Sequence, residues 1–253
     1  MKPTHTIASV AVLGLFLLAW EFVPAMFGVP EFILPSISRM WAEFGRMVDK
    51  QNLVRHLLST ATMTAIGFVL GSLFGAIAGY LLGMSQFWER VLSPYLLALQ
   101  IAPKVAFAPL FIMWFGYTFW PKLLVTILIV FFPILVNVLQ SMRTIDRDQI
   151  NLARAYNMSR AQIFWKIEFP ASMPALMAGL RIGATLAVIG VTVGELVGGN
   201  TGLGFLITAG EGQGNAAQVF NAIILLTLIG IALYALVAAL ETRILHYIPR
   251  VQR

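Results

Sequence analysis

The stretch Leu57 to Met84, LLSTATMTAIGFVLGSLFGAIAGYLLGM, decides the fold class. It carries no Asp, Glu, Lys or Arg. A helix of this length, rising about 1.5 Å per residue, exceeds the roughly 30 Å hydrocarbon core of a bilayer. Gly67, Gly71, Gly75, Gly79 and Gly83 recur every four residues, which sets them on one slowly drifting helix face. Such a ridge admits a second backbone at close range, and in lipid this close packing is a main source of helix association. The stretch therefore reads as a spanning helix inside a tight bundle. A second run of small residues, Ala175, Gly179, Gly183 and Ala187, repeats the pattern further along.

Working outward, further apolar runs cover Ile7 to Phe27, Val91 to Phe115, Lys122 to Met142, Ala171 to Val197 and Ala217 to Leu240. With 59% hydrophobic and 11% charged residues among 253, the chain departs far from a soluble domain, where about a quarter of residues are charged. The length suits about six spans of roughly 20 residues each with short connections. The fold class is all-α, a polytopic membrane protein. Residues 1–253 are expected to form a single transmembrane domain. Within it, 1–56 holds the first span and an amphipathic segment, 57–240 a five-span core, 143–170 a polar loop and 241–253 a tail. The first run follows Lys2 as a signal peptide would, but it is long, ends in bulky residues and shows no small-x-small site, so a retained anchor is expected.

Lys and Arg set the orientation. With the N-terminus inside, Lys2, Arg90, Arg143, Arg147, Arg154, Arg160, Lys166, Arg243, Arg250 and Arg253 fall on the cytoplasmic side. Arg39, Arg46, Lys50, Arg55 and Lys122 fall outside, and Lys104 and Arg181 within spans. This bias predicts cytoplasmic termini. The net charge of +6 flanks apolar runs and forms no basic stripe with interleaved aromatics, so nucleic acid is not an expected partner.

Enzyme chemistry is not expected. Cysteine is absent, which excludes thiol catalysis, disulfides and thiolate metal sites. His5, His56 and His246 lie far apart with no metal-ligand spacing, and no Gly-x4-Gly-Lys-Ser/Thr phosphate loop occurs. No cofactor or metal is expected in this chain. Of the charges within spans, Lys104 admits two readings, a cationic lining that attracts anions or a structural pair with a helix-end carbonyl or acid. Arg181 suits a structural partner. Glu195 either pairs structurally or helps to close an outer gate. Pro103 and Pro109 interrupt the third run and Pro133 the fourth; kinks near a pathway and plain kinks both fit.

The loop from Arg143 to Pro170 reads as two short helices. Asp146 or Asp148 caps the first, which runs through Ala153 to Tyr156, and Asn157 takes the left-handed position that ends it. Ser159 caps the second, Arg160 to Phe169, which Pro170 closes. Ile163, Phe164 and Ile167 would be its apolar contacts, either in a partner's groove or on the chain's own bundle.

NLARAYNMSRAQIFWKIEFP, from Asn151 to Pro170, resembles the coupling motif of binding-protein-dependent ABC importer permeases, Glu-Ala-Ala-x3-Gly-x9-Ile-x-Leu-Pro. Ala153 and Pro170 match it, and Ile167 falls within one position of its aliphatic residue. Asn151, Leu152, Asn157 and Phe169 replace Glu, Ala, Gly and Leu. Leu34-Pro35-Ser36, APKVAFAPLFIMWFG from Ala102 to Gly116, and GELVGGNTGLGFLI from Gly194 to Ile207 are similar to the nitrate, sulfonate and taurine branch. The resemblance implies a bacterial inner-membrane permease, in two copies, forming the path for a small solute. It further implies two cytoplasmic ATPase subunits that hold ATP and Mg and receive the coupling helices, and an extracytoplasmic substrate-binding protein. Asn151, Ala153, Asn157, Ile163, Ile167 and Pro170 would contact the ATPase subunit; Lys104 and Glu195 are the candidates for the path or gate. A secondary transporter or channel needing no ATPase is the alternative, although six spans are few for inverted repeats.

Overall fold

The computed structural model describes residues 3–247, with side chains described for 8–246. Lys2, Arg250 and Arg253 thus lie outside the described residues, which contain helices and no strand. In order the helices are α1 (Pro3–Met26), α2 (Ile37–Lys50), α3 (Leu53–Gly83), α4 (Gln86–Ile101), a 3-10 turn (Lys104–Phe107), α5 (Ala108–Phe115), α6 (Phe119–Thr144), α7 (Arg147–Ala155), α8 (Arg160–Ile163), a π turn (Phe164–Glu168), α9 (Phe169–Gly198), α10 (Leu203–Gly212), α11 (Ala216–Ile244) and a final 3-10 turn (Leu245–Tyr247).

Among the described residues, five helices are long and apolar enough to cross a membrane: Ala8–Met26, Leu53–Gly83, Phe119–Thr144, Arg160–Gly198 and Ala216–Ile244. The expected third span, Val91 to Phe115, is instead a broken pair. Gln86–Ile101 and Lys104–Phe115 meet at 81°, and counting them as one span brings the total to six. The break lies at Ala102-Pro103. Ala102 before proline is extended, at φ −52° and ψ 135°, and Pro103 has no N–H with which to continue the helix.

Packing divides the chain into two compact units. One comprises Ala61–Gly199 and the chain from Thr227. Here α6 is the most enclosed of the spanning helices, lying between the small-residue ridges of α3 and α9. Gly67, Gly71, Gly75, Gly79 and Gly83 rest on Thr126, Val130, Ile134, Val138 and Met142 in turn. Each step of four along α3 matches a step of four along α6, so these two helices run parallel. On the other flank Gly179 meets Ile134, Gly190 meets Thr126 and Gly194 meets Lys122, so α9 runs antiparallel to α6. Gly183 sits between Ile134 and Val130 of α6 and Phe68 of α3. The residues filling this sandwich, Phe68, Tyr80, Val130, Ile134, Val138 and Ala184, are all buried. Beside it, α5 wedges Ala108 and Phe111 against Val125 and Ile129.

The other unit runs up to Thr60 and takes in Asn200–Leu226. In it the buried face of the amphipathic α2, Met40, Glu43 and Met47, is held by side-chain amides. Asn215 Nδ2 donates to Glu43 Oε1 at 2.9 Å, Asn221 Nδ2 to the Met40 carbonyl at 2.8 Å, and Gln51 Nε2 to Gln218 Oε1 at 2.9 Å. Arg46 Nη1 supplies a charge at 2.9 Å from the other Glu43 oxygen. A carboxylate 2% exposed is thereby paired and hydrogen-bonded, as burial requires. The end of α1 joins through Trp20 Nε1, which donates to the Pro35 carbonyl at 3.0 Å, and through Glu21, which accepts from Ser38 N–H at 3.1 Å.

Candidate coupling surface and transport path

The polar loop builds a helix–turn–helix from backbone chemistry. The Asp146 carboxylate accepts the Asp148 N–H at 2.9 Å and starts α7. At its end the Asn157 N–H reaches the Arg154 carbonyl at 2.9 Å and the Met158 N–H the Ala153 carbonyl at 3.1 Å. These are the two bonds of a Schellman cap, and Asn157 has the positive φ, 55°, that such a cap needs. Ser159 then opens α8 with a reciprocal box: its Oγ accepts the Gln162 N–H at 3.3 Å, and Gln162 Oε1 accepts the Ser159 N–H at 2.8 Å. Both helix ends at the turn are thus satisfied within the chain, and the angle between the helices is set there.

Pro170 does not close the second helix. The chain widens into the π turn Phe164–Glu168, where the Phe169 N–H reaches back to the Phe164 carbonyl, and continues without a stop into α9. A wider turn relieves the clash a proline ring makes with the preceding turn, and Pro170 sits in the first turn of α9, where proline is tolerated. The second helix of the loop is therefore an extension of a spanning helix.

The apolar contacts also need correction. Ile163 is 2% exposed, and Phe164 packs edge-on against Tyr80 of α3 with ring centroids 5.3 Å apart. Phe169 touches the same tyrosine, whose hydroxyl lies 3.0 Å from Ser172 Oγ. Ile163 and Phe164 thus anchor the segment to its own bundle, while Ile167 and Pro170 are half-buried and Ala153 is buried. Large apolar groups facing outward from this segment are Leu152, Tyr156 and Trp165, at 60, 76 and 63% exposure. Sequence reading missed all three, although the four-residue spacing of Leu152 and Tyr156 marks one face of α7. Asn151 and Asn157 are exposed beside them.

The two path candidates are placed differently. Lys104 sits at the break between α4 and α5, where its Nζ donates to the Gln100 carbonyl and lies 3.5 Å from that of Ala102. The ammonium also stands 4.9 Å from the centre of the Phe132 ring. It therefore caps the orphan carbonyls at the end of α4, where a cation also complements the helix dipole. Glu195 is completely buried near the end of α9, within reach of the charge of Lys122. Lys122, expected as a water-facing flank, is only 5% exposed, because α6 begins at Phe119 and Gly194 presses on the Lys122 backbone. The close approach of Gly194 to the Lys122 backbone joins the adjacent ends of α6 and α9 inside one chain. Arg181 Nε is matched by Glu241 Oε2 at 3.2 Å. No group of three or more His, Cys, Asp or Glu suited to a metal occurs among the described residues.

A cleft of about 620 Å³ opens beside α7, lined by the ends of α3 and α6, the first turn of α4, and residues Arg147, Ile150, Asn151 and Arg154.

Residues 71–246 match the family described as binding-protein-dependent transport system inner membrane component. The chain is 34% identical over 235 residues to the formylaminopyrimidine transport permease protein ThiX of Halalkalibacterium halodurans, covering 92% of each chain. It is 37% identical over 235 residues to the riboflavin transport system permease protein RibX of Chloroflexus aurantiacus, covering 93% of this chain and 88% of that one. With the taurine transport system permease protein TauC of Escherichia coli it shares 26% identity over 237 residues, covering 92 and 83%. In fold it resembles a chain of the MetNI methionine ABC transporter in an inward-facing conformation, with a TM-score of 0.64, 20% identity, and 76 and 95% of the two chains covered. A glycine-packed helical bundle with a capped helix–turn–helix growing out of one span, together with these matches, places the chain in the family of binding-protein-dependent transport system inner membrane components, the permease subunits of ABC importers.

Proposed function

We propose that two copies of this permease form the path for a small solute delivered by an extracytoplasmic binding protein, and that two separate ATPase subunits drive the transport. The termini and the α7–α8 turn would face the cytoplasm. The observation that carries this reading is the α7–α8 segment: a rigidly capped turn, apolar Leu152, Tyr156 and Trp165 turned outward, and Phe164 and Phe169 locked on Tyr80. The outer groups suit a groove on a partner, and the inner ones carry its motion into α3 and α9. Nucleotide on one side and loaded binding protein on the other would bias a two-state switch between inward- and outward-open cavities.

For the substrate we infer a nitrogen heterocycle of pyrimidine or flavin type, since the relatives named for such solutes are 34 and 37% identical and the taurine permease 26%. An anionic solute is the second reading, favoured by the cation of Lys104 at the helix break. Reconstitution in liposomes with the ATPase subunit and a binding protein tests the proposal. Uptake that needs both partners and ATP is expected; solute flux through the permease alone would replace it with a secondary transporter. On the anionic reading, Lys104→Met slows uptake of an anion such as taurine while assembly stays intact. Unchanged taurine uptake by an assembled variant removes Lys104 from the path.

A further inference from the structure

The cleft beside α7 has a charge pattern that the coupling reading does not use. Its lining carries Arg90, Arg143, Arg147, Arg154 and Arg160 against Glu89 and Glu168. Both acids are already matched inside the chain: Arg143 pairs with Glu89, and Arg160 Nη1 lies 3.4 Å from Glu168 Oε1. Arg160 also caps the end of α3, its Nη2 donating to the Met84 carbonyl at 2.8 Å. Arg90, Arg147 and Arg154 have no acidic partner among the described residues, so the cleft holds an excess of three positive charges. A second observation points to a ligand with a donor. Glu168 is 3% exposed, and its Oε2 atom is buried without any hydrogen-bond partner. A buried carboxylate oxygen left unpaired is costly, and a hydroxyl or amine in the cleft would satisfy it once Glu168, which lines the cleft, turns that oxygen toward it.

From the first turns of α4, Phe87, Trp88 and Val91 stand 66, 55 and 42% exposed next to the arginine of position 90. Aromatic groups beside cations at the end of a spanning helix mark the membrane interface. A free anion would make no contact with these groups, whereas acyl chains leaving the cleft along α4 would lie on them.

We propose that this cleft binds the headgroup of an anionic phospholipid with free hydroxyls, of the phosphatidylglycerol type. The phosphodiester lies among Arg90, Arg147 and Arg154, and a headgroup hydroxyl donates to Glu168 Oε2. Basic pockets between span ends on the cytoplasmic side are suited to lipid phosphate in this way. The proposal rests on the membrane orientation given under Proposed function. It ties α7 to the ends of α3, α4 and α6 through a lipid.

Native mass spectrometry of the full-length permease, with and without its ATPase subunit, tests this with phosphatidylglycerol, phosphatidic acid and phosphatidylcholine. Phosphatidylglycerol is expected to be retained about tenfold better than phosphatidylcholine, and Arg90→Gln with Arg154→Gln to remove that preference. Glu168→Gln should narrow the advantage of phosphatidylglycerol over phosphatidic acid, which lacks the headgroup hydroxyls. Equal retention of phosphatidylglycerol and phosphatidylcholine by the wild type overturns the proposal without recourse to a variant. So does a preference that survives the arginine substitutions. Displacement by submillimolar inorganic phosphate would assign the cleft to a free anion, and displacement by the ATPase subunit would assign it to that partner. Should the wild type fail to capture the ATPase subunit yet keep its headgroup selectivity, the coupling reading fails and the lipid site stands.

Discussion

Gly75→Val is expected to reduce the yield of monodisperse, detergent-solubilised protein at least roughly tenfold, the largest stability effect of any single substitution in the α3 ridge. A Cβ built at Gly75 stands 2.6 Å from the Phe131 carbonyl oxygen and 3.2 Å from Ile134 Cβ. The nearer obstacle is backbone, so no rotamer change relieves it, and α6 must move away as a body. That movement would also strip contacts from Gly71 and Gly79, which rest on the same helix. Overpacking of this kind costs about 1–3 kcal/mol or more, and in lipid no compensating hydrophobic gain between helices is available. Gly45→Ala supplies the control, because nothing lies within 4 Å of its Cβ and it occupies the interior of α2. There the substitution should be neutral or stabilise by about 0.5–1 kcal/mol. Size-exclusion profiles of the two variants decide the matter; a wild-type profile for Gly75→Val means that α3 and α6 are not held by this ridge.

The second prediction concerns transport. Asn157→Pro is expected to abolish ATP-coupled uptake and capture of the ATPase subunit while the spanning bundle still folds. Proline requires φ near −65°, and Asn157 is held at +55°. Proline also deletes the N–H that bonds the Arg154 carbonyl at 2.9 Å, so both requirements of the Schellman cap fail together. Asn157→Gly should keep full coupling, since glycine takes the left-handed conformation freely. Asn157→Ala should fall between them, with a left-handed penalty of about 1–2 kcal/mol. Co-purification with the ATPase subunit and ATP-dependent uptake in liposomes are the two readouts. If the proline variant captures the subunit as wild type does, the turn is not the coupling element. A result in which glycine fails like proline would instead assign the Asn157 side chain a contact of its own.

The route from that turn into the bundle is short. Phe164 and Phe169 both meet Tyr80, and Tyr80 belongs to the cluster that includes Val130, Ile134 and Ala187. From Arg160 the helix continues through the π turn and Pro170 into α9, so on the coupling reading a displacement of the turn would be carried into the bundle along one helix.

What depends on neighbours along the chain was legible in the residues alone. Apolar runs flanked by Lys and Arg place the spans, because transfer of each segment into lipid is a local property. The four-residue spacing of Gly67 to Gly83 marks a packing face, because helix geometry converts spacing into direction. Asp146 or Asp148, Asn157 and Ser159 mark caps, because each can satisfy a backbone group within a few residues of itself, and the structure chooses Asp146. What those faces meet depends on the packing of distant helices. That α3 lies parallel and α9 antiparallel to α6 follows from helix-to-helix packing, which no local pattern encodes. The same holds for Lys122, which reads as a flank until Glu195 is brought to it across the bundle. Pro170 reads as a helix stop until a π turn makes room for its ring. Ile163 and Phe164 read as contacts for a partner's groove or for the chain's own bundle; the burial of Ile163 and the packing of Phe164 on Tyr80 choose the bundle and leave Leu152, Tyr156 and Trp165 outside. A residue's chemistry is local, whereas its burial and charge partner belong to helices far apart in sequence, and these set which side chains remain free to act.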